Sequence, residues 1–316
     1  METKPLRLGI VVPCYNEQEV LPETNQRLLV LLDRLVSNGL VSADSGVYFV
    51  DDGSQDKTWS LIEEYNRQDD RIRGIKLSRN RGHQNALLAG LFGAEGDALV
   101  SIDADLQDDV SVIEEMVLKH LAGAAIVYGV RKSRASDSAF KRSSAELYYK
   151  TLAKLGVDIV YNHADYRLLS RRALDCLGGY AEVNMFLRGI IPLIGFPTDT
   201  VYYVRAERFA GESKYPLKKM IAFALDGITS FSVAPLRMIS ALGFFVCFFS
   251  LLMTLWVIFG KLFMDTEFLP GWASSVVAIY FLGGIQILSI GVVGEYVAKI
   301  YMETKRRPRY FIEKVL

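Results

Sequence analysis

Asp103 to Asp108, D-A-D-L-Q-D, is the densest group of chemically capable side chains in the sequence. In an extended backbone, residues i and i+2 point the same way. That puts Asp103 and Asp105 on one ligand, with Gln107 able to join them. Two carboxylates and an amide oxygen suit a hard divalent ion that also grips a diphosphate. Such an ion neutralises charge building on a departing phosphate group. A second acidic pair, Asp51-Asp52, runs into Gly53-Ser54-Gln55-Asp56-Lys57-Thr58. Gly53 permits a tight turn, and Ser54 or Asp56 can cap the next helix. Capping accounts for Asp56 but not for two adjacent acids at a buried strand end, where unpaired carboxylates are costly. A carboxylate accepting from a base N–H or a ribose hydroxyl accounts for one of them; turn chemistry alone is the competing reading. In Ser78-Arg79-Asn80-Arg81-Gly82-His83, Gly82 lets the backbone approach a ligand beside the free N–H groups of a helix start. The arginines there can meet phosphate, and His83 reads as a polar helix-start residue rather than a catalyst.

These groups need a scaffold that gathers loops. Short apolar runs, Leu8–Pro13, Val47–Asp52, Gly74–Ser78, Ala98–Asp103 and Ala125–Gly129, read as strands. Helical patterns fall between them at Glu19–Leu35, Lys57–Gln68, Gln84–Ala94 and Val110–Leu121. Continuous apolar strands alternating with helices imply a parallel α/β sheet covered on both faces. Such sheets bind ligands at the carboxyl ends of their strands, and each polar cluster above follows a strand.

The chain has 316 residues, 51% hydrophobic and 23% charged, with 36 basic and 36 acidic side chains. Its mean hydropathy is +0.20. The zero formal charge argues against a nucleic-acid binder, which is ordinarily basic or carries a basic stripe. Cys14, Cys176 and Cys247 lie far apart, so neither a disulfide framework nor a structural zinc site is expected.

The hydrophobicity is concentrated near the C-terminus. Residues 239–260 and 272–294 each lack any charge and are long enough to span a bilayer. Buried core helices are the alternative. The short separation makes them a hairpin. Basic residues flank it on both sides, which places the preceding domain and both termini in the cytoplasm, at the inner or plasma membrane. Residues 216–238 mix apolar residues with Lys218, Lys219 and Arg237 and read as interfacial amphipathic helices. The expected organisation is a cytoplasmic α/β domain (1–215), the juxtamembrane helices (216–238), the hairpin (239–294) and a basic tail (295–316) suited to anionic lipid.

Taken together, P-x-Y-N-E, D-D-G-S-x-D-x-T, R-N-x-G, D-A-D-L-Q-D, D-Y-R-L-L-S-R and R-A-E-R-x-A-G-E-S-K-Y resemble the family-2 glycosyltransferases of GT-A fold. With the hairpin, the chain is most similar to the polyisoprenyl-phosphate glycosyltransferases, a group that includes dolichyl-phosphate mannose synthase and the GtrB-type bactoprenol glucosyltransferases. The resemblance implies a Rossmann-like, mostly parallel sheet. It implies that Pro13, Tyr15, Glu17 and Asp52 hold the nucleoside, with Asn80, Gly82 and Arg131 on the donor side. Asp103, Asp105 and Gln107 match the site that binds Mg²⁺ or Mn²⁺ and the donor phosphates, and Arg208, Ser213 and Lys214 match a loop over diphosphate and acceptor. Lys141 and Arg142 are further cation candidates for a lipid phosphate. Asp165 is the candidate acceptor-side carboxylate, contacting a sugar hydroxyl or acting as a base; a salt bridge to Arg167 or Arg171 is its alternative. The implied reaction is inverting transfer of one hexose, glucose from UDP-glucose, to undecaprenyl phosphate. GDP-mannose or another UDP-sugar is the alternative donor, and a non-catalytic lipid-binding or flippase-accessory protein the alternative class. The Q-x-x-R-W motif of processive synthases is absent, which argues for single-sugar transfer. Relatives of this kind form homo-oligomers.

Overall fold

The computed structural model describes residues 5–132, 163–182, 186–206, 234–263 and 271–316. Its compact units are two. One takes in the described residues up to 206 together with Arg307–Leu316, and the second the described residues from 234 to 306.

The first unit is a single eight-stranded sheet. Its strands are β1 (Leu8–Cys14), β2 (Gly46–Asp51), β3 (Ile72–Leu77), β4 (Ala98–Ser101), β5 (Ile126–Arg131), β6 (His163–Ser170), β7 (Thr198–Tyr203) and β8 (Ile312–Val315), in the spatial order β7-β5-β6-β4-β1-β2-β3-β8. β1 pairs in parallel with β2 and β4, as do β2 with β3 and β5 with β7. β6 runs antiparallel between β4 and β5, and β8 antiparallel along β3. This is the Rossmann-like, mostly parallel sheet of GT-A kind that the resemblance implies. Every residue of β1 and β2 is buried, as strands covered on both faces require.

The connecting helices are α1 (Leu21–Ser37), α2 (Thr58–Gln68), α3 (His83–Gly93) and α4 (Val112–Leu121), followed by the short α5 (Arg171–Gly178) and α6 (Leu187–Leu193). α1 buries Leu21, Leu28, Leu31, Leu32 and Leu35, the stripe that a 3.6-residue period produces. α3 buries every residue from Ala86 to Leu91, so it sits inside the fold rather than at its surface. It approaches the sheet through Gly90, where an added Cβ meets Val11 Cγ1 at 2.3 Å and Val50 Cγ2 at 2.7 Å.

The second unit contains α7 (Ala234–Phe263) and α8 (Trp272–Lys305). α8 carries Phe281–Lys305, which by length and composition is able to cross a membrane; an apolar stretch of α7, Pro235–Val246, is shorter. One helix runs further than its apolar stretch. α8 continues past Gly294 to Lys305, because helical hydrogen bonds need no apolar side chains to propagate. The described part of α7 runs from Ala234, so residues 234–238 of the segment read as juxtamembrane are helical; residues 216–233 lie outside the described residues. The basic tail is also more than a tail, since Ile312–Val315 forms the edge strand β8.

Candidate active site

The loops after β1 and β2 are stitched together. Asn16 N–H donates to Ser54 Oγ (2.9 Å), Glu17 N–H to Thr58 Oγ1 (2.9 Å), and Gln55 N–H to Asn16 Oδ1 (2.8 Å). Asp56 accepts from Thr58 N–H at the start of α2 (3.0 Å) and from Gln18 N–H (3.2 Å). Pro13 is buried near the end of β1, while Tyr15 and Glu17 are half-buried just beyond it.

Asp52 reaches the third loop. Its two oxygens accept from the N–H groups of Arg81 (2.6 Å) and Gly82 (2.9 Å), and Asn80 Oδ1 also receives Gly82 N–H (3.2 Å). Burial raises the Asp52 pKa, and these two bonds oppose the rise. Asp51 accepts from Ser54 N–H (3.2 Å), and its Oδ2 has no partner among the described residues. Gly53 has φ +69°, and a Cβ there falls 2.6 Å from the Arg79 carbonyl carbon and the Asn80 nitrogen. Only glycine lets these two loops touch. Asp51 thus makes a turn bond within D-D-G-S, while Asp52 bonds outside that turn, to the loop that carries Asn80 and Gly82.

The D-A-D-L-Q-D segment is not extended: β4 ends at Ser101, and Leu106 has φ +56°. A branched apolar residue in the left-handed region is strained, and such strain persists only where surroundings hold it. Leu106 is buried, Gln107 N–H donates to Asp105 Oδ1 (3.2 Å), and the Tyr203 hydroxyl donates to buried Asp108 (2.6 Å). The alternation survives the turn. Asp103, Asp105 and Gln107 are half-exposed, whereas Ile102, Ala104, Leu106 and Asp108 are buried. Partial burial pushes Asp103 up to about 6; His83 opposes this, while Asp108, Asp165 and Asp105 add to it. Asp103 and Asp105 are the carboxylates that could take a divalent cation here, although no group of three or more His, Cys, Asp or Glu side chains among the described residues is arranged to hold one. The Gln107 side-chain oxygen accepts from Arg205.

Antiparallel pairing brings in the far side of the site. Ser101, the last residue of β4, pairs with Arg167, which leaves Asp165 of β6 just beyond the paired stretch, on the side where Asp103 follows β4. His83 Nε2, at the start of α3, lies 3.5 Å from Asp103 Oδ1 and 3.9 Å from Asp165 Oδ2. Asp165 bonds to Arg167 and, through Oδ2, to Arg188 Nη2 at 3.0 Å. Burial alone raises its pKa, but Arg188 and Arg167 outweigh that and hold the carboxyl well below the usual range. It is a fixed anion and a weak base. The salt-bridge alternative is thus present with Arg167; Arg171 instead donates to Gly96 O and Ala94 O.

Parallel pairing sets Arg131 at the end of β5 beside Tyr203 of β7. Arg131 donates to the Tyr203 hydroxyl (3.3 Å) and lies 3.5 Å from Asp108. The structure thus brings Arg131, Asp103, Asp105, Gln107 and Asp165 to the strand ends, with the Asp52 and Gly82 loops linked to them through His83. Arg208, Ser213, Lys214, Lys141 and Arg142 lie outside the described residues. Asp108, Arg188, Tyr203 and Arg205 join the site without having been singled out in the sequence. Asp108 and Arg205 stand inside motifs noted above; Arg188, on α6, carries no local signal.

Known proteins match this chain closely. The glycosyl transferase family 2 profile matches residues 9–178. An uncharacterized glycosyltransferase of Bacillus subtilis, YkoT, is 51% identical over 97% of this chain and 91% of its own length. The SfII prophage-derived bactoprenol glucosyl transferase of Shigella flexneri is 39% identical over 98% of each chain. Among solved structures, the mannosyltransferase PcManGT of Pyrobaculum calidifontis, in complex with GDP-Man and Mn²⁺, aligns over 93% of this chain and 88% of its own with 17% identity and a TM-score of 0.46. The family match covers more than half of the residues, including the loops that carry Asp52, Gly82, Asp103, Asp105 and Gln107, and the chain therefore belongs to glycosyl transferase family 2.

Proposed function

We propose that this glycosyltransferase moves one hexose, glucose from UDP-glucose, onto a polyisoprenyl phosphate at the cytoplasmic face of a membrane. The observation that carries this is the 39% identity, end to end, with proteins named bactoprenol glucosyl transferase. The helices support it. Phe244 and Ile287, 70% and 74% exposed, typify an apolar surface on α7 and α8 that water does not favour and hydrocarbon does. We read the two helices as a membrane hairpin, with the α/β unit and both termini cytoplasmic.

The site supports inverting displacement. An oxygen of the lipid phosphate attacks the anomeric carbon as the bond to the nucleoside diphosphate breaks on the opposite face. The phosphate is already anionic, so positioning and charge screening matter more than proton removal, which suits the weak basicity of Asp165. Pro13, Tyr15, Glu17, Asn80 and Gly82 line the nucleoside side, with Asp52 setting the loop. Asp103 and Asp105, assisted by Gln107, would hold Mg²⁺ or Mn²⁺, and such an ion when bound supplies countercharge to the diphosphate. Arg131 and Arg205 flank these acids, while Arg208, Ser213 and Lys214 complete the proposed acceptor loop.

A donor screen tests the reading. Purified enzyme is given undecaprenyl phosphate and UDP-glucose, other UDP-sugars or GDP-mannose in turn, and the lipid product is weighed by mass spectrometry. One added hexose from UDP-glucose is expected. Label in lipid from GDP-mannose alone reassigns the donor, and no lipid product from any donor overturns the proposal.

A further inference from the structure

The chain returns from α8 to the α/β unit through the exposed residues Arg306–Pro308 and ends as β8 beside β3. That edge leads directly into the loop carrying Asn80 and Gly82. Beyond the β3–β8 ladder, Ser78 N–H, the first residue after β3, donates to Phe311 O (3.0 Å), and Leu316 N–H donates to Gly74 O (2.9 Å). Lys76 Nζ meets Glu313 and Lys314 Nζ meets Glu63, each at 2.8 Å. Arg309 donates to Tyr180 O (2.8 Å), tying the same segment to the chain after α5. Leu316 packs against the core. The last residues thus fix where β3 ends and where the Arg79–Gly82 loop begins. That loop is held on its other side by Asp52 and Gly53.

We infer that the C-terminal strand is a positioning element for the donor-binding loop, so that nucleotide-sugar affinity depends on β8 being in place. The inference rests on the proposed role of that loop. An edge strand supplies backbone hydrogen bonds along its whole length, and covalent attachment holds it at high local concentration. Without it, the amide of Ser78 loses its partner and the loop loses one of its two supports.

The test uses the full chain with a protease site inserted between Arg306 and Arg307, so that folding precedes cutting. After cleavage and dilution, release of the strand is followed by mass. Donor KM is expected to rise roughly five-fold or more, the lower end of ordinary coupling energies, with kcat within about two-fold of the uncut enzyme. Hydrogen exchange at Arg81 and Gly82 is expected to accelerate, and an excess of peptide spanning Arg309–Leu316 to reverse both effects. A chain ending at Pro308 gives the same readouts if the cut strand stays bound. Unchanged donor KM and unchanged exchange at Arg81 and Gly82 overturn the inference. So does a uniform loss of kcat, both KM values and global protection, which marks β8 as general support only. If the uncut enzyme transfers no hexose from any donor, the functional reading fails instead, and the exchange measurement still decides the role of β8.

Discussion

Asp165 shows how a residue's chemistry depends on what surrounds it. Its neighbour Arg167 is 1% exposed, with two guanidinium nitrogens, Nε and Nη1, that have no partner among the described residues. Removing the anion leaves that cation buried and uncompensated, a change that ordinarily costs about 3–5 kcal/mol. Asp165→Asn is therefore expected to lower the melting temperature of the purified protein markedly, as scanning calorimetry would record. A base role for Asp165 makes the opposite forecast, lost kcat with an unchanged melting temperature. Asp105 behaves differently, being half-exposed and close to the acids around it. Asp105→Ala is expected to leave the melting temperature nearly unchanged and reduce transfer by roughly a hundred-fold or more, a typical loss for removing a group that stabilises transition-state charge.

At the level of elements, the site is held by contacts between loops. Gly53 marks the closest of them. Gly53→Ala drives a Cβ onto the Arg79 and Asn80 backbone and strains a residue at φ +69°. The expected destabilisation is about 1–3 kcal/mol, accompanied by a higher donor KM, and denaturant titration with donor kinetics checks both. A second joint lies far from the site. Arg71 forks onto Asp69 at the end of α2, with Nη2 to Oδ2 at 2.7 Å, and reaches Asp33 of α1 at 2.6 Å. The hydrogen bond from Arg71 holds the Asp69 carboxyl below the usual range. A depressed carboxylate contributes stability above its unfolded pKa and loses it as pH falls through the folded value. Arg71→Met is thus expected to cost at most about 1 kcal/mol at neutral pH, given partial exposure. The difference from wild type should begin to shrink as pH falls below about 4, near the ordinary aspartate value, and vanish once pH has passed below the depressed folded value.

For the whole molecule, the α/β unit is discontinuous in sequence: α7 and α8 lie between its main part and its last strand. A sequence boundary at residue 215 therefore leaves out the edge strand, which argues for expressing the full chain. The membrane reading also belongs to this scale. Ile279 and Ile287 are exposed apolar side chains of α8. Ile279→Lys with Ile287→Lys introduces charges that cost up to roughly 2.5–3.5 kcal/mol each near a bilayer centre. Loss of the protein from alkali-washed membranes is expected; full retention would argue against α8 as a span.

The first five strands and the first four helices were legible in the sequence because each is local. Apolar runs and 3.6-residue stripes report burial without reference to distant residues, and the motif loops follow the strands so defined. The same locality marked Asp52, Asp103, Asp105 and Gln107 as exceptional. What the sequence left open depends on strand pairing between remote segments. β6 and β8 enter antiparallel, β8 from beyond two long helices, and no local pattern announces either partner. Pairing of remote strands brings Asp165 to the side of Asp103 (β4 with β6), Arg131 beside Tyr203 (β5 with β7) and the last strand against Ser78 (β3 with β8). Whether a carboxylate is a base, a ligand or a buried counter-ion depends on the charges within a few ångströms of it, and the tertiary fold alone supplies those.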